Sequence, residues 1–245
     1  VAWMKSVNIQ PAIFYKSLGT LGGGNHFMEY EEGEDRWAFT VHTGSRSLGT
    51  KVFNKWDRVA KCNGGYLAGE ALKGYLTDMV ITQAYAKYNR KLILDKAAAI
   101  MHKINGAKVD GIIGTTHNYL DFQDLVIRKG AIRSYAGELV VIPFNMRDGI
   151  AIAEGLSNED WNFSAPHGSG RVMSRTAARR NLTMKGFKLE MQGVYSTCIT
   201  PDTIDESPSA YKPTEEILDA VSPTCRILYR LKAKINLKAT NNGNL

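Results

Sequence analysis

The stretch LGGGNHFME, residues 21–29, places three consecutive glycines directly before a polar pair, an aromatic ring and a carboxylate. Glycine loses the most conformational freedom on folding and has no side chain to pack, so three in a row cost stability. Such a run is typical of backbone that needs a positive φ or that approaches a phosphate or a metal closely. The stretch therefore predicts a binding site that is lined by backbone.

The residues after the glycines predict a strand with two different faces. Successive side chains of a strand alternate, which would put Asn25, Phe27 and Glu29 on one face and His26 and Met28 on the other. An amide, a ring and a carboxylate suit a nucleotide, because the carboxylate can accept a hydrogen bond from a base N–H while the ring lies against the base. The alternative is a half-buried strand with Phe27 in the core, and these residues alone slightly favour it.

Composition indicates a globular protein with a real core. The chain has 245 residues, of which 44% are hydrophobic, and this length is typical of one or two domains. Lys and Arg exceed Asp and Glu by 31 to 24, and the net charge of +7 is a mild bias toward polyanionic partners. The three cysteines form no CxxC pair, and the longest apolar runs are too short to span a membrane. We therefore expect a cytoplasmic protein without membrane segments.

Periodicity predicts a mixed α+β protein. A helix is expected over residues 77–104, with Thr77 as its N-cap and Asn105-Gly106 as its stop. The apolar residues that keep helical spacing are Ile81, Tyr85, Tyr88 and Leu92. Residues 37–41 and 139–142 predict strands, each of which runs into a polar cluster. We find no repeat or linker and expect a single unit.

Four of the five histidines, namely His26, His42, His117 and His167, lie beside glycine, asparagine or small polar residues. Their separations carry no metal-ligand spacing, so their convergence in space is a hypothesis. The fifth, His102, lies near the end of the predicted helix, where histidines commonly interact with the last carbonyl groups. We assign His102 no function.

Six segments of the chain, taken in order, resemble the RtcB family of RNA-splicing ligases. They are LGTLGGGNHFMEY (18–30), VHTGSRSLG (41–49), THNYLDF (116–122), IPFNMRDG (142–149), NFSAPHGSGRVMSRTAARR (162–180) and DESPSAYKP (205–213). The resemblance implies an RtcB-like fold with central, sandwich-like β-sheets surrounded by helices. It also implies a ligase that joins an RNA end bearing a 2′,3′-cyclic phosphate or 3′-phosphate to a 5′-hydroxyl end, using GTP and two Mn²⁺ ions through a histidine–GMP intermediate.

The resemblance assigns roles to individual residues. It implies that His167 is the nucleophile that takes up GMP. The metal ligands that it implies are His26, His42 and His117. The GTP contacts are Asn25, His26, Phe27, Met28, Glu29, His117, Asn118, Pro143, Phe144, Asn145, Met146, Ile150, His167, Gly168, Ser169, Gly170, Tyr211 and Lys238. Three histidines alone would indicate Zn²⁺ as well as Mn²⁺, so manganese is implied by the family only.

Arginines after the HGSG segment suit an RNA backbone. Arg171 and Arg175 lie at helical spacing beside the predicted nucleophile, where guanidinium groups can pair with phosphates. Arg179 and Arg180 continue the row, and for them a solvated helix face is an equally good interpretation. The RNA contacts that we predict are Arg46, Arg171 and Arg175.

One family segment has no counterpart in the chain. Members of the family normally carry an upstream DxGCGM-like segment whose aspartate and cysteine complete the metal site. We therefore expect residues 1–245 to be a single catalytic domain, the carboxy-terminal part of a longer ligase, with a short form that has an incomplete metal site as the alternative. The tail ATNNGNL after Lys238 receives no role.

Two other function classes stay open. A metal-dependent phosphoesterase could use three histidines and a phosphate-binding loop, and it would form no bond between histidine and nucleotide. A non-catalytic RNA-binding fragment would bind RNA with a strong salt dependence and show no nucleotide chemistry. The sequence identifies no activating protein partner.

Overall fold

A computed structural model of the chain describes residues 2–239. The remainder of the tail, residues 240–245, lies outside the described part. The chain forms two compact units, one built from residues 2–26 and 41–108 and the other from residues 27–40 and 109–239. The expectation of a single catalytic domain stays a prediction. Within residues 2–239, each helix is too short or too polar to cross a membrane.

The first unit is helical. Its helices are α1 (Ala2–Ser6), α2 (Pro11–Lys16), α3 (Ser47–Cys62) and α4 (Gly69–Asn105). Its core contains Met4, Val7, Ile9, Leu48, Val52, Trp56 and Tyr85. A Cβ at Gly74 would lie 2.5 Å from the Trp56 ring, so the glycine lets α3 and α4 approach each other closely.

Helix α4 confirms the predicted helix and its stop but not its start. Gly106 ends the helix in the left-handed conformation, with φ 72°. The helix begins at Gly69 rather than Thr77, because its first turns add Ala71 and Tyr75 to the core of the unit. The Thr77 hydroxyl donates to the Lys73 carbonyl at 2.9 Å, as expected inside a helix.

The buried face of α4 differs from the predicted stripe. The buried residues are Asp78, Thr82, Tyr85, Asn89 and Ile93. Of the predicted residues Ile81, Tyr85, Tyr88 and Leu92, only Tyr85 is buried, and Tyr88 is 52% exposed. The apolar residues at helical spacing therefore do not define the buried face, because two buried polar side chains, Asp78 and Asn89, make hydrogen bonds to distant segments.

Asp78 and Asn89 tie the first unit together. The Asp78 carboxylate accepts hydrogen bonds from the indoles of Trp3 and Trp56, each at 2.7 Å, and from Lys55 at 2.8 Å. The Asn89 amide oxygen accepts from the backbone N–H groups of Gly19 and Thr20, at 2.7 and 3.2 Å. Its amide nitrogen donates to the carbonyls of Thr20 and Gly44. Asn89 therefore fixes the backbone just before the glycine run.

The second unit contains the β-sheets. The strands are β1 (Phe27–Glu32), β2 (Trp37–His42), β3 (Tyr119–Leu120), β4 (Ile127–Arg128), β5 (Ala131–Arg133), β6 (Leu139–Pro143), β7 (Ile150–Gly155), β8 (Ser164–Pro166) and β9 (Cys225–Leu237). Five of them form a sheet in the order β2-β1-β9-β7-β6, and β3-β4 and β5-β8 form two-stranded pairs. The predicted strands over 37–41 and 139–142 are confirmed, and so is the α+β class.

Short helices accompany these strands. They are α5 (Arg175–Asn181), α6 (Met184–Glu190) and α7 (Thr214–Ala220), with 3₁₀ turns at Glu159–Trp161, Pro201–Glu206 and Pro208–Ala210. The main apolar core of the unit contains Ile132, Val140, Ile142, Phe144, Ala151, Ala153, Ala165, Ile217, Val221 and Cys225. A second cluster contains Met146, Phe187, Met191 and Ile204.

Replacing Asp78 by Ala should lower the free energy of unfolding by roughly 3 kcal/mol, because two indole N–H groups and Lys55 lose a shared buried acceptor. The measurement is urea denaturation followed by circular dichroism. The control is Asp95→Ala, which removes an exposed ion pair with Lys91 and should cost no more than about 0.5 kcal/mol. Equal losses in the two variants would contradict the role of Asp78.

Candidate functional site

The glycine run supports an arginine. Gly22 and Gly24 have φ values of 85° and 81°, which are favourable only for glycine. A Cβ at Gly22 would lie 1.2 Å from Nη1 of Arg46, so the guanidinium group occupies the space that a side chain would need. Arg46 donates to Oγ1 of Thr20 at 3.2 Å and contacts Nδ1 of His26 at 3.4 Å. At Gly22, the group that approaches the backbone closely is therefore the Arg46 side chain of the protein itself.

Two of the predicted metal ligands lie together in the first unit. The rings of His26 and His42 have their centroids 6.0 Å apart. His117, the third predicted ligand, belongs to the second unit. In the part of the chain that the structure describes, no group of three or more His, Cys, Asp or Glu side chains is placed to hold a metal ion. Imidazoles suit Mn²⁺ or Zn²⁺, but the described donors alone do not fit a complete metal site.

His117 and His167 form a stacked pair in the second unit. Their ring centroids are 4.2 Å apart and their planes differ by 18°. The backbone N–H of His167 donates to the Gly130 carbonyl at 3.4 Å, and the backbone N–H of Gly130 donates to the side-chain oxygen of Asn118 at 2.9 Å. Gly130 and Asn118 both take positive φ, at 68° and 57°. Two bends with positive φ therefore position the backbone beside the stacked rings.

The environment of His167 keeps its imidazole uncharged. Burial and then the neighbouring His117 lower the pKa of His167 to about 4. At neutral pH the ring therefore keeps a lone pair on one nitrogen. An uncharged imidazole is the form of histidine that can attack phosphorus.

The HGSG segment after His167 forms a small polar cradle. The Ser169 N–H donates to the Pro143 carbonyl at 3.2 Å, and a Cβ at Gly168 would lie 3.0 Å from the same carbonyl. Gly170 takes a φ of 69°. The Ser169 hydroxyl is buried, and its oxygen has no hydrogen-bond partner among residues 2–239. Since buried polar groups are normally satisfied, this cradle fits an oxygen-rich ligand such as a phosphate.

Strand β1 presents two of its three carboxylates, those of Glu29 and Glu31, to the interior of the second unit. Glu29 lies opposite Asn236 of β9, and the Asn236 amide donates to Oε2 of Glu29. Glu31 is fully buried on the same face of the strand. Burial raises the pKa of Glu29 more than Asn236 and Lys238 lower it, and burial followed by the charge of Glu29 raises the pKa of Glu31. The pair therefore holds less than two negative charges near neutral pH.

The predicted strand over residues 25–29 is only partly correct. Phe27 and Glu29 alternate with Met28 as expected, but the strand begins at Phe27, so the alternation does not extend to Asn25 and His26. The turn that Gly24 initiates with its positive φ continues through Asn25, and the chain regains extended pairing only with the β1–β9 register at Met28. Phe27 itself lies beneath Lys238, whose ammonium group is 5.4 Å from the ring centroid.

The predicted RNA contacts Arg171 and Arg175 approach two buried carboxylates. Nη1 of Arg175 lies 2.7 Å from Oδ2 of Asp205 and 3.0 Å from Oε1 of Glu206. Arg171 stacks over the Tyr211 ring, with the guanidinium carbon 4.9 Å from the ring centroid. Burial and then Glu206 raise the pKa of Tyr211, so its hydroxyl keeps its proton.

Comparison with known proteins shows the family of the chain. Residues 5–239 match the family model described as tRNA-splicing ligase RtcB. The chain belongs to the RtcB family. It is 28% identical to the RNA-splicing ligase RtcB of Escherichia coli, over 91% of this chain and 62% of the relative. It is 29% identical to the tRNA-splicing ligase RtcB of Archaeoglobus fulgidus, over 83% of this chain and 55% of the relative. The chain thus spans about three fifths of the length of these curated relatives.

Several predicted RtcB nucleotide contacts have side chains in the apolar core. Phe144, Met146 and Ile150 are buried. The Asn145 side chain accepts hydrogen bonds from the N–H groups of Arg147 and Asp148, each at 3.0 Å, and so closes its own turn. At Phe144, Met146 and Ile150 a ligand would therefore meet backbone groups rather than side chains.

Sequence reasoning missed Asp205 and Glu206, although both lie in a segment that resembles the RtcB family. They occupy the end of the 3₁₀ turn Pro201–Glu206 and are almost completely buried. Two adjacent carboxylates usually indicate a solvated turn, and only the arginines, Tyr211 and Lys238 that surround them explain their burial. His102 behaves as expected, with Nδ1 3.2 Å from the Ala107 carbonyl.

The glycine run offers a matched pair of variants. Gly22→Ala should destabilise the protein by about 1–2 kcal/mol, because an alanine with positive φ is strained and its methyl group would displace Arg46. Gly23→Ala should change stability by less than about 0.5 kcal/mol, since nothing lies within 4 Å of its Cβ position. Urea unfolding midpoints of the two variants measure the difference. A greater loss in Gly23→Ala would refute this account of the glycines.

Proposed function

We propose that this chain is the catalytic part of a GTP- and Mn²⁺-dependent RNA ligase, which joins a 2′,3′-cyclic phosphate or 3′-phosphate end to a 5′-hydroxyl end through GMP bound to His167. The observation that carries the proposal is the uncharged His167 ring, stacked on His117 and followed two residues later by the buried Ser169 hydroxyl, which has no hydrogen-bond partner among residues 2–239. The names of the RtcB relatives support RNA splicing as the setting.

His167 is the nucleophile in this proposal. A ring nitrogen attacks the α-phosphorus of GTP, the new P–N bond forms, the P–O bond to pyrophosphate breaks, and pyrophosphate leaves. Stacking on His117 fixes the ring plane, so the lone pair points in one direction. The N–H of Gly170 and the hydroxyl of Ser169 are suited to hold phosphate oxygens beside it.

Glu29 selects guanine in this proposal. Guanine has an N1–H and an exocyclic amine that can both donate to one carboxylate, whereas adenine lacks the N1–H. Asn236 holds one Glu29 oxygen in place, and Phe27 lies on the same face of β1, where a base can stack. Donation from guanine would stabilise the ionised form of a carboxyl group whose pKa is raised by burial.

The metal and the RNA are further parts of the proposal. His26, His42 and His117 stay the predicted manganese ligands, and bound metal would offset negative charge on the phosphoryl oxygens. Arg46, Arg171 and Arg175 stay the predicted contacts to RNA phosphates, in a chain with a net charge of +7.

Incubation with Mn²⁺ and GTP radiolabelled in its α-phosphate should place label on the unmodified protein and none on His167→Ala, because the β- and γ-phosphates leave as pyrophosphate. The matched control is His102→Ala, because His102 lies near the end of α4 and its ring contacts the Ala107 carbonyl just after that helix. The P–N bond predicts that acid removes the label and that base does not. Label that persists in His167→Ala would overturn the assignment. Salt-sensitive RNA binding without any label on the unmodified protein would favour a non-catalytic fragment.

Glu29→Gln should reduce the preference for GTP over ATP by about tenfold, because the amide cannot accept both guanine donors and leaves a buried polar group poorly paired. The preference is measured as the ratio of labelling with each nucleotide, together with manganese content by elemental analysis. Glu32→Gln is the control on the same strand, since Glu32 is exposed. An unchanged ratio in Glu29→Gln, or a loss of metal, would show that Glu29 does not read the base.

A further inference from the structure

Glu206 connects side chains that the proposed function assigns to two different ligands. Its Oε2 accepts hydrogen bonds from the Tyr211 hydroxyl at 2.8 Å and from the Lys238 ammonium at 3.0 Å. Its Oε1 lies 3.0 Å from Arg175 and 3.4 Å from Arg171. Tyr211 and Lys238 are predicted GTP contacts, and the two arginines are predicted RNA contacts. One carboxylate therefore holds both sets.

Among residues 2–239, the ion pairs of Asp205 are with arginines. Its carboxylate lies 2.7 Å from Arg175 and 2.5 Å from Arg179, through different oxygens. Its backbone carbonyl accepts a hydrogen bond from Arg171. The two neighbouring acids are both nearly completely buried. They differ in that Glu206 also pairs with Tyr211 and Lys238.

The charges of this cluster favour an anionic ligand. Two carboxylates, Asp205 and Glu206, face four cations, Arg171, Arg175, Arg179 and Lys238, so the cluster has two positive charges in excess. The side chains of Arg175 and Arg179 remain 45% and 48% exposed. A guanidinium group has five N–H donors, so each exposed arginine can keep its carboxylate and still bind a phosphate.

We propose that Glu206 is a positioning residue that places the nucleotide contacts Tyr211 and Lys238 and the RNA contacts Arg171 and Arg175 in one frame, while Asp205 positions the arginines alone. The inference rests on the proposed function. A glutamine at position 206 keeps the volume but replaces one acceptor by an N–H₂ donor that faces other donors. Both ligand sets then lose their common anchor.

The test compares the affinities of four proteins for GMP and for a short single-stranded RNA with a 3′-phosphate. Glu206→Gln should weaken both affinities by about tenfold, since it removes charge-assisted hydrogen bonds on both sides. Asp205→Asn should weaken RNA binding by a similar factor and leave GMP binding unchanged. Glu190→Gln is the control, because Glu190 accepts from Ser207 and Ser209 next to the cluster but contacts none of its cations; it should leave both affinities unchanged.

A second pair of variants decides the question if Glu206→Gln fails to fold. Arg175 and Arg179 lie on α5 with similar exposure, but only Arg175 contacts Glu206. Arg175→Gln should weaken GMP binding by at least about threefold. Without Arg175, Glu206 pairs more tightly with Lys238, and the Lys238 ammonium group is then less available to the nucleotide. Arg179→Gln removes the same charge without touching Glu206 and should weaken GMP binding by less than Arg175→Gln does.

The outcomes separate this inference from the proposed function. An unmodified protein that binds neither GMP nor RNA would overturn both. An unmodified protein that binds both ligands, with Glu206→Gln changing only one affinity or Arg175→Gln and Arg179→Gln acting alike on GMP, would overturn the role of Glu206 and leave the proposed function standing.

Discussion

The antiparallel pairing of β9 with β1 and β7 is the constraint on which the second unit depends. This 13-residue strand is the centre of the five-stranded sheet. Its register sets Asn236 opposite Glu29 and Leu231 opposite Ile150. A Cβ at Gly149 would lie 2.1 Å from the Leu231 carbonyl, so only glycine lets the turn before β7 approach the strand. Chain segments that are far apart in sequence therefore meet along one strand, which positions Glu29 beside Asn236.

The end of β9 places Lys238 among the residues of the candidate site. Lys238 follows the strand directly, and its buried ammonium group reaches Glu206 while it covers the Phe27 ring. Burying a lysine costs free energy unless its ammonium group is paired. The ion pair with Glu206 therefore fixes the position of the Lys238 ammonium group. Phe27 and Glu29 lie on β1, and Tyr211 donates to the same Glu206 oxygen as Lys238. The proposed base-reading residues and the arginine cluster are thus joined by one chain of polar contacts.

The sequence predicted the features that depend on local chemistry and missed those that depend on distant partners. The α+β class, strands β2 and β6 and the end of α4 at Gly106 follow from periodicity and from glycine. The buried face of α4 did not, because burial of Asp78 is offset by donors from α1 and α3. Glu206 was missed for the same reason, since an Asp-Glu pair in a turn is normally solvated. The segment Asn25-His26 was misread because the glycine run delays the start of the strand.

The most direct test of the central claim, that the His117–His167 pair is a guanylate site, is NMR of the histidine ring nitrogens during titration with GMP and, separately, with AMP. The account predicts that GMP moves the His117 and His167 signals, that AMP does not, and that the His102 signal stays fixed with both. Unchanged His117 and His167 signals with GMP, or equal shifts with AMP, would contradict it.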